Sequence, residues 1–369
     1  MAISGSGMRT VYIVDIEAVD SRYTKQWKEY LPQQLKSALG KTKVKVISGG
    51  ETPQATTPGA FLNFGGTNVY KSKQLEQIGK LFCKGKVRDG DYFLYTDAWN
   101  PTVIQLRYMA ELLGVDIRIG GMWHAGSYDP ADFLGRLIGS KPWVRNAEVS
   151  MFHTYDDNFF ATEFHIDMFV KTLFSELNVE AFKEKHQGKI HCVGWPMEYM
   201  KNTLAPYNGA DKEDIILFPH RIAPEKQPEI FDDLAAELPD YKFIMCQKQQ
   251  LTKDEYHKLL AKSKMVFSAN LQETLGISWY EGALVGAIPM VPDRLSYSEM
   301  AISSYLYPSK MSSNFDDYIS NKRLMIAKIK DVMSNYEAYA QKLPLALEKL
   351  DGFFDGSKLY SVIEGDTDA

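Results

Sequence analysis

Short runs in which nearly every residue is apolar recur along the chain, and longer amphipathic stretches separate them. TVYIVDI (residues 10–16), DYFLYT (91–96), DIILF (214–218) and KMVFSA (264–269) are examples. Such runs are too short for helices and too continuously apolar for strands with one wet face. They predict strands buried on both sides, as in a parallel sheet covered by helices. The repeated strand–helix order places the chain in the α/β class.

In the first half, strands are predicted at 10–16, 43–48, 91–96, 116–122, near 148–152 and at 189–194. Helices fall at about 22–39, from about 71, at 101–113, and in segments running to about 185. Pro32 is expected to break or kink the first helix, whereas Pro101 suits a first turn. Residues 51–68, rich in Thr, Pro, Gly and Asn, read as a loop long enough to be functional. Residues 196–213 interrupt the alternation and are predicted to be a linker. It restarts with strands at 214–218, 241–246, 264–269 and 287–291 and helices at 224–238, 253–261 and 277–284. This gives one domain over 8–195 and a second over 214–336. A helical segment, 337–369, is expected to return to the first.

The chain has 369 residues, 45% hydrophobic and 24% charged, which suits two globular domains. No apolar run approaches the roughly 20 residues of a membrane span. The opening MAISGSGM lacks the apolar core of a secretory signal and reads as a flexible leader, with the natural chain beginning near Met8. Cys83, Cys192 and Cys246 form no CxxC pair, so each is expected to be a small apolar core residue in a reducing compartment. The expected location is the cytoplasm, that of the host if the protein is viral. A net charge of -5 argues against binding nucleic acid by bulk charge while leaving room for a local basic groove. The sequence leaves the oligomeric state open.

The most informative stretch is FSANLQETLGISWYEGALVGAIPMV, residues 267–291. A strand runs into a loop holding Glu273 and Gly276, and a helix carrying Glu281 follows. The amides of Leu275, Gly276 and Ile277 would lie at a helix N-terminus, where phosphate oxygens bind. Gly276 lets a ligand approach the main chain. Glu281, about one turn into the helix, suits ribose hydroxyls, and Glu273 suits sugar hydroxyls.

Two carboxylates seven residues apart around such a loop resemble the E-x7-E signature of the family 4 retaining glycosyltransferases. Their stretch runs E-G-F-G-L-x-x-L-E-A-x-A-x-G-x-P-V; here it is E-T-L-G-I-S-W-Y-E-G-A-L-V-G-A-I-P-M. Thr274 replaces the first loop glycine, and Pro289 falls one residue late. PHRIAPEK (219–226) resembles the same family's G-R-x4-K pattern, with His220 in place of glycine. The resemblance implies that Arg221 and Lys226 bind the donor diphosphate and neutralise the leaving group. It covers roughly residues 214–300. It implies a GT-B fold of two facing Rossmann-like domains and retention of anomeric configuration without a protein nucleophile. A nucleotide sugar, UDP-linked by preference, would be co-substrate, with no other cofactor and no metal.

The first half matches that family only in layout. His124, in MWHAGSYDP, stands where the resemblance implies a histidine facing the donor sugar; a core hydrogen bond would equally account for it. Asp97, Trp99, Asn100, Trp123 and Tyr128 fall near strand carboxyl ends, where α/β sheets bind ligands. Their aromatic rings fit either stacking on a sugar or extruded base, or packing. The remaining histidines, 153, 165, 186, 191 and 257, lack metal-ligand spacing and read as structural.

The compact size and first half look similar to the DNA-modifying glycosyltransferases of tailed phages, which implies hydroxymethylated pyrimidine as an acceptor. Lys71, Lys73, Lys84, Lys86 and Arg88 would then line a DNA path, or simply form a solvated face. A lipid, a glycan or a small metabolite is an alternative acceptor. A non-catalytic sugar-nucleotide binding module is the alternative of another class. The absence of GxGxxG after the first strand disfavours a dinucleotide-dependent dehydrogenase.

Overall fold

The computed structural model describes residues 9–19, 23–53, 55–57, 60 and 62–365. The leader 1–8 and the predicted helix start at Arg22 lie outside them. The chain divides into two compact units. The first comprises residues up to Ala161, His165–Met197 and those from Gly356 onward; the second holds Thr162–Phe164 and Glu198–Asp355.

The first unit runs β1 (Thr10–Val14), α1 (Tyr23–Ala38), β2 (Lys43–Ile47), α2 (Phe64–Cys83), β3 (Tyr92–Tyr95), α3 (Thr102–Leu112) and β4 (Arg118–Met122). It continues with α4 (Phe133–Ile138), α5 (Pro142–Thr154), β5 (Asp157–Phe160), α6 (Glu163–Leu173), α7 (Val179–Lys185) and β6 (Ile190–Cys192). All six strands are parallel, in the order β2-β1-β3-β4-β5-β6. β1 and β3 are buried at every position, as their continuous apolar sequences require. β2 is an edge strand, and its alternating Lys43 and Lys45 discourage pairing with another chain.

The second unit runs α8 (Tyr199–Leu204), β7 (Glu213–Phe218), α9 (Pro228–Glu237), β8 (Lys242–Met245), α10 (Lys253–Lys262), β9 (Ser263–Phe267) and α11 (Ile277–Leu284). Then come β10 (Ile288–Pro292), α12 (Leu295–Met300), β11 (Leu306–Tyr307), α13 (Phe315–Ser334), α14 (Tyr336–Ala340) and α15 (Leu343–Asp351). Its parallel sheet has the order β11-β10-β9-β7-β8. The last helix, α16 (Ser357–Glu364), belongs to the first unit. Its place is fixed by a hydrogen bond of 3.0 Å from Gln34 Nε2 to the Tyr360 hydroxyl; Gln34 also donates to the carbonyl of Pro196. Of the segment beyond 337, α14 and α15 lie in the second unit.

Five local expectations are corrected. The strand near 148–152 is part of α5: Val144, Glu148, Met151 and Phe152 are buried at helical spacing, behind a proline at the helix start. Pro32 does not end α1, because Trp27, Leu31 and Leu35 bury the same helix on both sides of it. The long loop closes early, because Asn63 accepts from the Gly66 amide and starts α2 at Phe64. Residues 196–213 are no bare linker, since they contain α8 and a 3-10 turn at Ala205–Tyr207. Cys83 is exposed, unlike the buried Cys246.

In each sheet the strand order reverses beside one strand: β1 and β3 in the first, β7 and β9 in the second. Crevices at the carboxyl ends of such strands are where open α/β sheets bind ligands.

Candidate functional site

In the second unit, two loops leave the carboxyl ends of β7 and β9. After β7 the chain passes His220 and Arg221 into a 3-10 turn, Pro224–Lys226. Gln227 then takes a left-handed conformation (φ 49°), and α9 starts on Pro228. Arg221 pairs with the buried carboxylate of Glu225. Lys226 is also buried; its Nζ donates to the carbonyl of Gln272 at 2.6 Å and lies 3.8 Å from Glu273. The Leu271 amide donates to the Glu225 carbonyl at 2.8 Å and joins the two loops. Lys226 and Glu273, 47 residues apart in sequence, are thus brought together, while Arg221 is held within its own loop by Glu225.

The loop after β9 ends at Gly276, the residue preceding α11, with φ 89° and ψ 62° and no side-chain cap. A Cβ there would fall 2.4 Å from Trp279 Nε1. Only glycine meets both demands. Glu273 Oε1 accepts from the amides of Thr274 and Leu275 at 3.2 and 3.4 Å. Ile277 is the first residue of α11, as the motif required. Glu281, one turn on, faces α10: its Oε2 accepts from the Tyr256 hydroxyl at 2.9 Å.

Sequence reasoning missed the residues that hold this loop. Gln227 Nε2 donates to the carbonyls of Ala269 and Ser312, both at 2.7 Å. The Arg294 guanidinium donates to the carbonyls of Asn270, Ala269 and Ser309 at 2.7, 2.8 and 3.1 Å. Arg294 has no fixed spacing to the motif, and the partners of Gln227, which directly follows Lys226, lie 42 and 85 residues away in sequence. His220, in the family's glycine position, is 8% exposed and packs edge-to-face on Phe218. Burial pushes its pKa down to about 3, helped by the Lys226 charge.

In the first unit, His124 lies at the carboxyl end of β4. Its Nε2 is 2.6 Å from the Thr96 carbonyl, and its ring meets those of Trp27 and Trp195. Asp97 accepts from the Trp99 amide at 3.0 Å, and Trp99 donates its indole N–H to the buried Glu148 at 2.8 Å. Both remain partly exposed. The other acceptor-side candidates are corrected. Trp123 is 0% exposed, donates to Asn158 and packs among Tyr128, Tyr155, Phe160 and Phe169. Tyr128 is 2% exposed and bonded to His165 at 2.7 Å. Asn100 is buried, and its Oδ1 accepts from the amide and hydroxyl of Thr102. These three build the core and the start of α3 and present no surface for stacking. Lys71, in the proposed DNA path, is tied to the Trp99 carbonyl at 2.8 Å. Among the described residues, no group of three or more His, Cys, Asp or Glu could hold a metal ion, and no helix is long and apolar enough to cross a membrane.

No family model matches the chain. Among solved structures it is similar to the lipopolysaccharide outer core galactosyltransferase WaaB in its apo form. The TM-score is 0.58 at 11% identity, covering 97% of this chain and 99% of that one. It is also similar to the catalytic domain of starch synthase IV from Arabidopsis thaliana bound to ADP and acarbose, with TM-score 0.58, 11% identity, and 98% and 99% of the two chains covered. Among curated proteins it resembles the tRNA-queuosine alpha-mannosyltransferase of Drosophila melanogaster, at 23% identity over 189 residues, 40% of this chain and 50% of that protein. The chain thus spans about half the length of the curated relative it matches. With two Rossmann-like units, each built on a parallel sheet, the chain has the GT-B fold of these glycosyltransferases.

Proposed function

We propose that the protein is a glycosyltransferase that moves a sugar from a nucleoside diphosphate to an acceptor hydroxyl with retention of configuration. The observation that supports the reading is that the loop after β7, with Arg221 and Lys226, is joined through Lys226 and Glu225 to the loop after β9, which leads into the start of α11 at the β7/β9 switch point. Two cations and a helix N-terminus match a leaving group of about two negative charges, the main electrostatic task of glycosyl transfer. Glu281 is the ribose ligand in this reading, and the amides of Leu275, Gly276 and Ile277 take phosphate oxygens. Glu273 meets the sugar in this reading, and His124 is the catalytic candidate of the first unit. The departing diphosphate oxygen takes the acceptor's proton, so neither a protein nucleophile nor a metal is required. UDP-sugars are the preferred donors, and the reaction takes place in the cytoplasm.

The acceptor we propose is a hydroxyl on a modified base in a polynucleotide. The name of the curated relative, which acts on a tRNA nucleoside, supports this class, and hydroxymethylated pyrimidine in phage DNA remains the preferred member. The partly exposed Asp97 and Trp99 are its remaining aromatic and polar candidates. The test is nucleoside diphosphate release from UDP-, GDP- and ADP-sugars, with and without hydroxymethylcytosine DNA or queuosine tRNA. Release that depends on either polynucleotide supports the reading. Release with neither, but with a lipid, glycan or metabolite, keeps the enzyme and discards the acceptor. Donor binding without turnover on any acceptor favours a binding module.

A further inference from the structure

Helix α10 begins with a reciprocal cap: Thr252 accepts from the Glu255 amide, and the Glu255 carboxylate accepts from the Thr252 amide. That cap fixes the rotation of the first turn. Lys253, Tyr256 and His257 then share one face, at the i, i+3 and i+4 positions. All three converge on Glu281 of α11. Tyr256 donates its hydroxyl to Oε2 at 2.9 Å, while Lys253 Nζ and His257 Nε2 stand 3.7 and 4.0 Å from Oε1. Lys253 also lies over the Tyr256 ring at 5.4 Å, and Tyr207 packs edge-on against His257. The carboxylate is therefore pinned through one oxygen, and its second is beyond hydrogen-bond length from both Lys253 and His257. Burial and the adjacent carboxylate hold the phenol of Tyr256 far above its ordinary pKa, so its hydroxyl remains a donor.

We propose that Tyr256 is a positioning residue for nucleoside recognition: by holding Oε2, it aims Oε1 of Glu281 at the vicinal diol of the donor's ribose. The inference rests on the reading of Glu281 as the ribose ligand. A carboxylate on a rotatable stem gains little selectivity from a diol, because ordering it consumes the gain. One already fixed by a neighbour loses no such freedom on binding.

The test is calorimetric titration of UDP, GDP and ADP and of their 2′,3′-dideoxy counterparts into the wild type, Tyr256→Phe and Glu281→Gln. The wild type should prefer the natural nucleotide about tenfold or more, the scale of hydrogen bonds to a charged group. In Tyr256→Phe that ratio should fall below about threefold, with affinity for inorganic pyrophosphate unchanged, which a merely structural loss would not produce. The phenylalanine keeps the ring, and thermal unfolding of both variants reports whether the fold survives. If Glu281→Gln loses the ratio and Tyr256→Phe keeps it, the positioning role is overturned while the ribose site stands. If the wild type binds none of the three nucleotides, the reading of the second unit fails and the inference falls with it.

Discussion

The ammonium of Lys226 lies 3.8 Å from the carboxylate of Glu273 and donates to the carbonyl of Gln272, the residue just before it. The cation proposed for the diphosphate and the acid proposed for the sugar are thus neighbours, and each partly satisfies the other's charge.

Opposite effects on binding and turnover should follow from removing one or the other. Lys226→Ala should weaken nucleoside diphosphate binding by about tenfold or more, the scale of a charge-assisted contact. Glu273→Gln should bind the diphosphate at least as well, because it removes a negative charge from beside the phosphates, and lose most turnover, because it removes the carboxylate proposed to meet the sugar. Calorimetry with UDP and a release assay separate the two; a Glu273→Gln variant that turned over normally would remove Glu273 from the chemistry.

Alanine at Gly276 should be costly although it adds a single methyl. The left-handed backbone and the contact with Trp279 together predict a loss of about 1–3 kcal/mol in unfolding free energy. Nucleotide affinity should fall as well, because relief of the clash would rotate the amides at the start of α11. Denaturant unfolding monitored beside calorimetry checks both.

Asp15, at the carboxyl end of β1, accepts hydrogen bonds from Tyr70 and Gln74 and pairs with Lys28 at 3.3 Å. Burial outweighs these partners and the Glu17 charge adds to it, so its pKa rises from 3.8 to about 6. The protonated form therefore favours the fold: this contribution is full below about pH 4 and is lost as pH rises through about 6. Asp15→Asn should remove the loss, gaining about 3 kcal/mol on the wild type between pH 4 and 7. Unfolding curves across that range give the answer, and parallel curves would refute it.

Trp123→Ala should act on stability rather than on any acceptor. Emptying the centre of the aromatic cluster is expected to cost about 3–5 kcal/mol. Trp99→Ala, which removes a partly exposed ring, should instead change acceptor KM with a smaller effect on melting.

The inner strands β1, β3, β7 and β9 were legible in the sequence because a strand buried on both faces leaves an unbroken apolar run, whereas the short β5 and β11 leave none and were not predicted. The segment in α5 misled because Val149 to Phe152 looks like a short strand once Pro142 is overlooked. Arg221, Lys226, Gly276 and Glu281 could be named as candidates because motif spacing survives in the sequence. Gln227, Arg294 and Tyr256 could not, since each reaches its partner through tertiary packing. Nor could the fate of Trp123 and Tyr128: whether an aromatic ring at a strand end faces a crevice or the core depends on which helix covers it, here α6 with Phe169.

The affiliation of α16 bears on how the chain is made. Synthesis proceeds from the amino end, and domains commonly fold as they emerge. Here the whole of the second unit is translated before residues 356–365 can add Tyr360 and Ile363 to the first. The first unit is therefore completed only after the second has been translated. Until then the surface that α16 covers lacks that helix, and Gln34 lacks its bond to Tyr360 while keeping the Pro196 carbonyl within its own unit.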